Sequence, residues 1–359
     1  MDGSIIEPGA TIGILGGGQL GRMTALAAAR LGYRSHVFCP ERDSPAKLVT
    51  PFSTTADYTD LAALQHFAGA VDVVTFEFEN VPADSAEFLA ALKPVRPGPA
   101  ALRVAQDRLK EKDFLRSIDV ATARYQEVAG EEALARAARD IGGHGVLKTV
   151  RLGYDGKGQV TIRPDTDLAA AWRKMGGPVG ILESFVDFSC EVSVVGARSL
   201  SGAWAPYVPV ENQHAHHILD TTIAPARIAP AIAMRAEAIA RHVADQLDLV
   251  GLLAVEMFVT AEGEVLVNEL APRPHNSGHW TIDACVTSQF EQLVRAICGL
   301  PLGSPERHSD AVMKNLIGAT VAKWRDALVD PTAKLHLYGK DKAIRGRKMG
   351  HVTRLMARR

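Results

Sequence analysis

Apolar runs and stretches of helical spacing alternate over the first hundred residues. Short buried-type runs at 11–15, 35–39 and 71–77 predict strands, and segments such as "RMTALAAARLG" between them predict helices. That order predicts a doubly wound α/β unit, left through the proline-rich "LKPVRPGPAAL". "RVAQDRLKEKDFLRSI" reads as one amphipathic helix. A smaller segment at about 119–182 predicts strands "GVLKTV" and "QVTI" around a glycine loop, then a helix near 166–175. Strand patterns dominate afterwards, at 181–185, 190–196, 202–209, 252–260 and 264–270, with helices at 231–247 and 282–298. "GLPLGSPERHSD" reads as a linker, and the last fifty residues as strand and turn.

Composition narrows the class. The chain has 359 residues, 47 % of them hydrophobic, which suits two or three cored domains. Forty basic against 41 acidic residues give a net charge of −1, which disfavours nucleic-acid or membrane-surface partners. The four scattered cysteines fit reduced thiols in a cytoplasmic protein. The N-terminus has no basic segment followed by an apolar core, so no signal peptide is expected, and no apolar run is long enough for a membrane span.

Six segments carry candidate chemistry. In "TIGILGGGQLGRM", Gly16, Gly18 and Gly21 fit a dinucleotide fingerprint, and Glu41 ends the next strand about where a ribose acid would sit. Such a turn suits any anion, so the glycines alone leave NAD and other phosphates open. In "VLKTVRLGYDGKGQV", Lys148 on a strand precedes Gly153, Gly156 and Gly158, whose loop could wrap phosphate oxygens. In "ILESFVDFSCEVSVV", Glu183 and Glu191 interrupt apolar strands; each could face water, and together they suit a nucleoside pocket.

The fourth segment is "GLLAVEMFVTAEGEVLVNELAPRPHNSGHW". A two-residue turn at Glu262-Gly263 places Glu256 opposite Glu269, whereas a turn at Ala261-Glu262 leaves them diagonal neighbours. A three-residue loop without a bulge separates them. Opposed carboxylates with Asn268 alongside suit Mg²⁺ bridging nucleotide phosphates. The tail gathers Arg273, His275, Asn276, Ser277 and His279 in a proline-stiffened loop, a donor density that favours a small oxyanion. In "ENQHAHHILD", His214, His216 and His217 invite zinc, but no convincing further ligand accompanies them. Finally, "HLYGKDKAIRGRKMGHV" clusters Lys340, Lys342, Arg345, Arg347 and Lys348 among glycines, as a phosphate-binding turn would. "RKM" there lacks the surrounding carrier domain that a biotin lysine requires.

In their joint order, "GILGGGQLGRM", "TFEFENV", "QDR", "LKTVRLGYDGKGQ", "ENQHAHHIL", "NELAPRPHNSGHWT" and "HLYGKDKAIRGRKMGHV" resemble the ATP-grasp superfamily. Within it, residues from about 10 to 355 resemble the N5-carboxyaminoimidazole ribonucleotide synthetase family. The resemblance implies an α/β and α+β fold: a doubly wound pre-ATP-grasp domain at 10–103, an ATP-grasp domain at 104–301 with a lid at about 119–182, and a small mainly-β C-terminal domain at 307–357. It implies a homodimer, ATP, Mg²⁺ and bicarbonate, and no NAD, biotin or zinc. The implied reaction is ATP-dependent carboxylation of aminoimidazole ribonucleotide in purine biosynthesis.

The same resemblance assigns residues. Arg108 and Lys148 contact ATP phosphates, under a lid of Gly153, Tyr154, Asp155, Gly156, Lys157, Gly158 and Gln159. Glu183, Ser184, Phe185 and Val186 line the adenine, Glu191 holds the ribose, and His214 lies in the nucleotide site. Glu256 and Glu269 bind Mg²⁺, with Asn268 beside them. Arg273, His275 and Asn276 cradle bicarbonate and carboxyphosphate. Tyr154 and Asp155 close over the aminoimidazole, with Asp155 as proton acceptor. Lys340 and Arg347 grip the 5′-phosphate, near Gln19, Leu20, Glu77 and Asn80. Under this resemblance the glycine turn faces the ribonucleotide and Glu41 is coincidental.

Overall fold

The computed structural model describes residues 5–151, 153 and 158–359. Its first sheet is parallel, in the order β3-β2-β1-β4, from β1 (Thr11–Leu15), β2 (Arg34–Phe38), β3 (Phe52–Thr54) and β4 (Val73–Phe76). Every residue of β1 and β4 is buried, as expected for parallel strands covered on both faces; β1 is central, and β4, at the end of the order, is bridged by Val95 at Val74. Helices α1 (Gln19–Arg30), α2 (Leu61–Gly69) and α3 (Ala83–Ala90) connect and cover it. The three-residue β3 carries no periodic signal that the sequence could show.

The single helix expected over 103–118 is two, α4 (Pro99–Ala105) and α5 (Arg108–Ser117). Asp107 breaks it. Its backbone is extended and its carboxylate accepts from the N–H groups of Leu109 and Lys110, each at 3.2 Å. The break starts α5 at Arg108 and turns Arg108, Glu111 and Lys112 towards the interior.

The second sheet, in the order β5-β8-β6-β7, is antiparallel: β5 (Tyr125–Val128), β6 (Gly145–Thr149), β7 (Gln159–Ile162) and β8 (Gly180–Ser184). It carries α6 (Glu131–Asp140), absent from the sequence reading, and α7 (Leu168–Met175).

The third sheet has nine strands. They are β9 (Phe188–Arg198), β10 (Trp204–Pro206), β11 (Val210–Ala215), β12 (Ile218–Ala224), β13 (Gly251–Thr260), β14 (Val265–Ala271), β15 (Asp310–Ile317), β16 (Ala333–Leu337) and β17 (Lys348–Met356). The path runs β14-β13-β9-β11-β12-β15-β17-β16, and β10 pairs with β9. The strand expected at 202–209 is thus shorter, and a β11–β12 hairpin forms where none is expected. No sheet edge separates the C-terminal strands, because β12 pairs directly with β15.

Helix α8 (Pro230–Gln246) lays Ala236, Ala240, Val243 and Ala244 on this sheet at helical spacing. The helix expected at 282–298 splits into α9 (Thr281–Ala284) and α10 (Gln289–Ile297), because Ser288 caps α10 by accepting from Glu291 N–H at 3.2 Å. A last short helix, α11 (Trp324–Ala327), interrupts the C-terminal strands. Leu20 and Met23 of α1 share one core with Phe290 and Leu293 of α10 and with Trp280. This core joins the first sheet to the third. No described helix is long and apolar enough to cross a membrane.

Candidate active site

The glycine turn after β1 holds a carboxylate from its own chain. Gly18 N–H donates to Glu77 Oε1, and Gly21 N–H donates to Glu77 Oε2 at 2.6 Å. A Cβ on Gly16 would lie 2.3 Å from Glu77 Cγ, and Gly16 has φ +117°, so glycine is required twice over. Burial raises the Glu77 pKa, against the two backbone hydrogen bonds and the charges of Lys340 and Arg273. The turn therefore serves a buried acid at the start of α1, where a dinucleotide would place its pyrophosphate. Leu20 points into the core, leaving only its backbone for a ligand. Gln19 is half-buried and Asn80 is exposed.

Glu256 and Glu269 lie directly opposite each other on β13 and β14, but by a route other than the two turns considered. The loop has three residues: Thr260 N–H donates to Glu264 O at 3.0 Å, and Gly263 has φ +82°. From Met257↔Val267 the register steps to Glu256↔Glu269, so Asn268 is an extra residue in β14. That bulge restores the pairing a plain three-residue loop would lose. Arg108 Nη1 reaches Glu269 Oε2 at 3.4 Å, and its Nη2 donates to Gly153 O at 3.4 Å. Asn268 Oδ1 is buried with no hydrogen-bond partner among the described residues. Two opposed carboxylates beside an orphaned carbonyl oxygen fit a hard divalent cation.

The loop after β14 is poised for an anion. Arg273 pairs with Glu79, which the sequence reading passes over in favour of Glu77 and Asn80. Arg273 Nε and both side-chain polar atoms of Asn276 are buried without partners among the described residues. His275 Nε2 lies 3.0 Å from Glu256 Oε1. Its Nδ1 accepts from Ser277 N–H at 3.3 Å and lies 2.8 Å from Ser277 Oγ. A backbone N–H can only donate, so the neutral ring carries its proton on Nε2 and donates to Glu256. Behind Ser277 runs a buried chain: Thr222 Oγ1 donates to Asn212 Oδ1 (3.1 Å), Asn212 Nδ2 to Ser193 Oγ (2.9 Å), and Ser193 Oγ to Ser277 Oγ (2.7 Å). These residues come from three strands and a loop, so no local pattern announces them. Burial opposes ionisation of Glu256, yet His275, His214 and Lys348 hold its pKa below the usual range. His279 instead turns into the core, with its ring 4.8 Å from that of His351, and burial keeps it neutral.

The second sheet supplies the next candidate residues. Lys148 Nζ bonds Glu183 Oε2 at 2.8 Å, and Glu183 is 4 % exposed, so it does not face water. Burial disfavours its charge, but Lys148 and Lys112 outweigh that and hold the pKa at about 2. Ser184 and Val186 are half-buried, while exposed Phe185 stacks on His144 with ring centroids 4.1 Å apart, a partner the sequence reading misses. Glu191 Oε2 and His214 Nδ1 meet at 3.2 Å, and that contact raises the His214 pKa against burial. His216 and His217 form the β11–β12 turn with φ of 52° and 63°, and His217 Nδ1 contacts Gln159 Nε2 at 3.1 Å. The three histidines are thus divided between a carboxylate and a turn. Gly158 has φ +68° and its carbonyl accepts from Thr149 N–H at 2.8 Å. Tyr154, Asp155, Gly156 and Lys157 lie outside the described residues.

The C-terminal basic cluster closes a separate cavity of about 140 Å³. Lys340, Lys342 and Arg347 line it with Asp43, Ser44 and Pro45, a segment of the first unit without any sequence signature. Lys340 Nζ donates to Lys348 O at 2.7 Å and lies over the Tyr338 ring. The charges of Lys340 and Arg273 both reach Glu77, so this cavity and the glycine turn share one electrostatic neighbourhood.

Known families and proteins match along the whole chain. The ribonucleotide synthetase preATP-grasp domain matches residues 9–106, the ATP-grasp domain 113–290, and the phosphoribosylaminoimidazole carboxylase C-terminal domain 311–358. The N5-carboxyaminoimidazole ribonucleotide synthase of Brucella melitensis is 49 % identical over 360 residues, covering 100 % of this chain and 99 % of that protein. The bifunctional purine synthesis protein purC/E of Dictyostelium discoideum is 47 % identical over 97 % of this chain, which spans 37 % of that longer protein. A crystal structure of N5-carboxyaminoimidazole synthase from Aspergillus clavatus, in complex with ADP and 5-aminoimidazole ribonucleotide, superposes with a TM-score of 0.92 at 31 % identity, covering 97 % of this chain and 94 % of that one. The chain therefore belongs to the N5-carboxyaminoimidazole ribonucleotide synthase family of ATP-grasp ligases.

Proposed function

We propose that this protein carboxylates N5 of 5-aminoimidazole ribonucleotide, using ATP and bicarbonate, in purine biosynthesis. The observation that carries the reading is the set of buried polar atoms on Arg273 and Asn276 that have no partner among the described residues, in the loop that follows the opposed Glu256 and Glu269. The Aspergillus clavatus relative's complex with ADP and 5-aminoimidazole ribonucleotide supports the same two ligands here.

The chemistry explains the arrangement. Bicarbonate is a poor electrophile. One of its oxygens attacks the γ-phosphorus of ATP, the bond to the β–γ bridging oxygen breaks, and ADP leaves with carboxyphosphate formed. N5 of the ribonucleotide then bonds to the carboxyl carbon, the C–O bond to phosphate breaks, and a proton leaves N5. Arg108 and Lys148 hold the ATP phosphates, and 153–159 cover them against water. Glu183, Ser184, Phe185 and Val186 form the adenine side; Glu191, with His214, takes the ribose. Glu256, Glu269 and Asn268 Oδ1 would hold Mg²⁺, which supplies neutralisation of phosphate charge when bound. Arg273 and Asn276 donate to the oxyanion, and His275, its Nε2–H held on Glu256, completes the cradle with its ring. His275 accordingly acts as a donor, and Asp155 is the proton acceptor beside Tyr154. Lys340 and Arg347 bind the 5′-phosphate, and Gln19, Glu77, Asn80 and the Leu20 backbone face the ribonucleotide. The working form in this proposal is a cytoplasmic homodimer, which sedimentation would register at twice the chain mass.

The direct test is ADP release. It should reach its full rate only with both bicarbonate and aminoimidazole ribonucleotide. A full rate with glycinamide ribonucleotide and formate instead would assign the chain to a sibling ligase.

A further inference from the structure

Strand β14 ends the third sheet, and among the described residues its outer row meets only an isolated bridge from Thr122 to Val267, with Val267 N–H donating to Ala121 O at 2.8 Å. That edge is buried under α5, where unpaired N–H and C=O groups are costly. Two side chains of α5 supply the missing partners. Lys112 Nζ donates to Asn268 O at 2.7 Å and to Val267 O at 3.3 Å. Glu111 Oε1 accepts from Leu270 N–H at 2.6 Å. Lys112 is 1 % exposed and Glu111 2 %. The bonds fall on both sides of Glu269 and on the carbonyl of the bulged Asn268 itself.

We propose that Glu111 and Lys112 are positioning residues that fix the Asn268 bulge, and through it set Glu269 opposite Glu256 before any metal arrives. This rests on the reading of those two carboxylates as the cation site. A bulge is a local register change with no intrinsic reason to stay at Asn268. Moved one residue towards the C-terminus, it would put Asn268 rather than Glu269 opposite Glu256. A donor and an acceptor adjacent on one helix, bracketing Glu269, remove that freedom. Arg108, one turn earlier on α5, contacts Glu269 itself, so a single helix face both places and neutralises this carboxylate.

The test uses Mn²⁺ as the probe, with ADP present, read by electron paramagnetic resonance on the full chain. Lys112→Met removes both donated bonds at similar length and should weaken Mn²⁺ binding roughly tenfold or more, as loss of an outer partner to a metal ligand does. Glu111→Gln keeps an acceptor for Leu270 N–H and should stay within about threefold of the parent, while Glu111→Leu should behave like Lys112→Met. The KM for the ribonucleotide should not move in any of them, which separates positioning from general damage. Parent-like Mn²⁺ affinity in Lys112→Met would overturn the proposal. Failure of the unmodified protein to bind Mn²⁺ would instead overturn the cation-site reading. A second measurement needs no variant. Hydrogen exchange at the Leu270 amide should be slow before metal is added and unchanged after it. Fast exchange that slows only with metal would mean that the cation, not α5, sets the register.

Discussion

Ser277 decides what His275 can do. Its backbone N–H and hydroxyl both address Nδ1, which leaves Nε2–H aimed at Glu256. Ser277→Ala removes the hydroxyl and cuts the chain to Ser193 and Asn212. We expect kcat to fall roughly tenfold with the ribonucleotide KM unchanged, since partners that orient such a ring usually matter at that level. An unchanged kcat would show that the backbone N–H suffices. A second residue-scale expectation follows from Glu183, whose carboxylate sits below its ordinary pKa of 4.5 at about 2. A depressed acid stabilises the fold above its unfolded pKa and loses that contribution as pH falls through the folded one. The ion pair with Lys148 should therefore contribute its full share at pH 6 and lose it between about pH 4.5 and 2, in total about 3 kcal/mol. Unfolding of Glu183→Gln should lack that component over the same window. Identical acid sensitivity in both proteins would contradict the assignment.

Among elements, the glycine turn and the β13–β14 hairpin were legible to different depths. "GILGGGQLG" announces a strand, a turn and a helix start, and all three form. Its occupant could not be read locally, because Glu77 lies 59 residues from Gly18. Glu77→Gln should lower Tm by several degrees, because one backbone N–H then faces an amide donor and a charge-assisted bond contributes roughly 1.5–3 kcal/mol. Differential scanning calorimetry reads this directly; no change in Tm would mean the carboxylate does not organise the turn. In the hairpin, alternation brought Glu256 and Glu269 together in two of the turns considered. The real loop has three residues, and the compensating bulge depends on Lys112, 156 positions away from Asn268. The broken helices were written locally: Asp107 and Ser288 are ordinary N-cap residues, and an apolar period running through them masked the breaks. Residues 210–224 were harder, since the polar run "ENQHAHH" hides a strand and a left-handed turn.

At the scale of the molecule, the site is assembled from pieces that no single segment predicts. Motif order was enough to identify the family, because seven short matches in sequence are far more specific than any one. The pairing of Arg273 with Glu79, and of the C-terminal basic cluster with Asp43–Pro45, appear only when the three sheets come together. The cavity at Lys340 and Arg347 leads to a whole-molecule expectation. Arg347→Ala should raise the KM for aminoimidazole ribonucleotide roughly ten- to a hundredfold, matching the loss of one or two charge-assisted bonds to phosphate. The KM for ATP should stay put, because ATP is assigned to Arg108, Lys148 and the residues around Glu183 instead. The opposite pattern would exchange the two phosphate sites.

The central claim is that bicarbonate is phosphorylated before its carbon reaches N5. Bicarbonate labelled with ¹⁸O tests it most directly, with turnover in unlabelled water run quickly enough to limit exchange. If oxygen of bicarbonate attacks the γ-phosphorus, one labelled oxygen must remain on phosphorus when the C–O bond to phosphate breaks. Mass spectrometry should then find ¹⁸O in the released phosphate, with ADP, phosphate and carboxylated ribonucleotide formed in equal amounts. Phosphate carrying only unlabelled oxygen, while carboxylated product accumulates normally, would contradict the account.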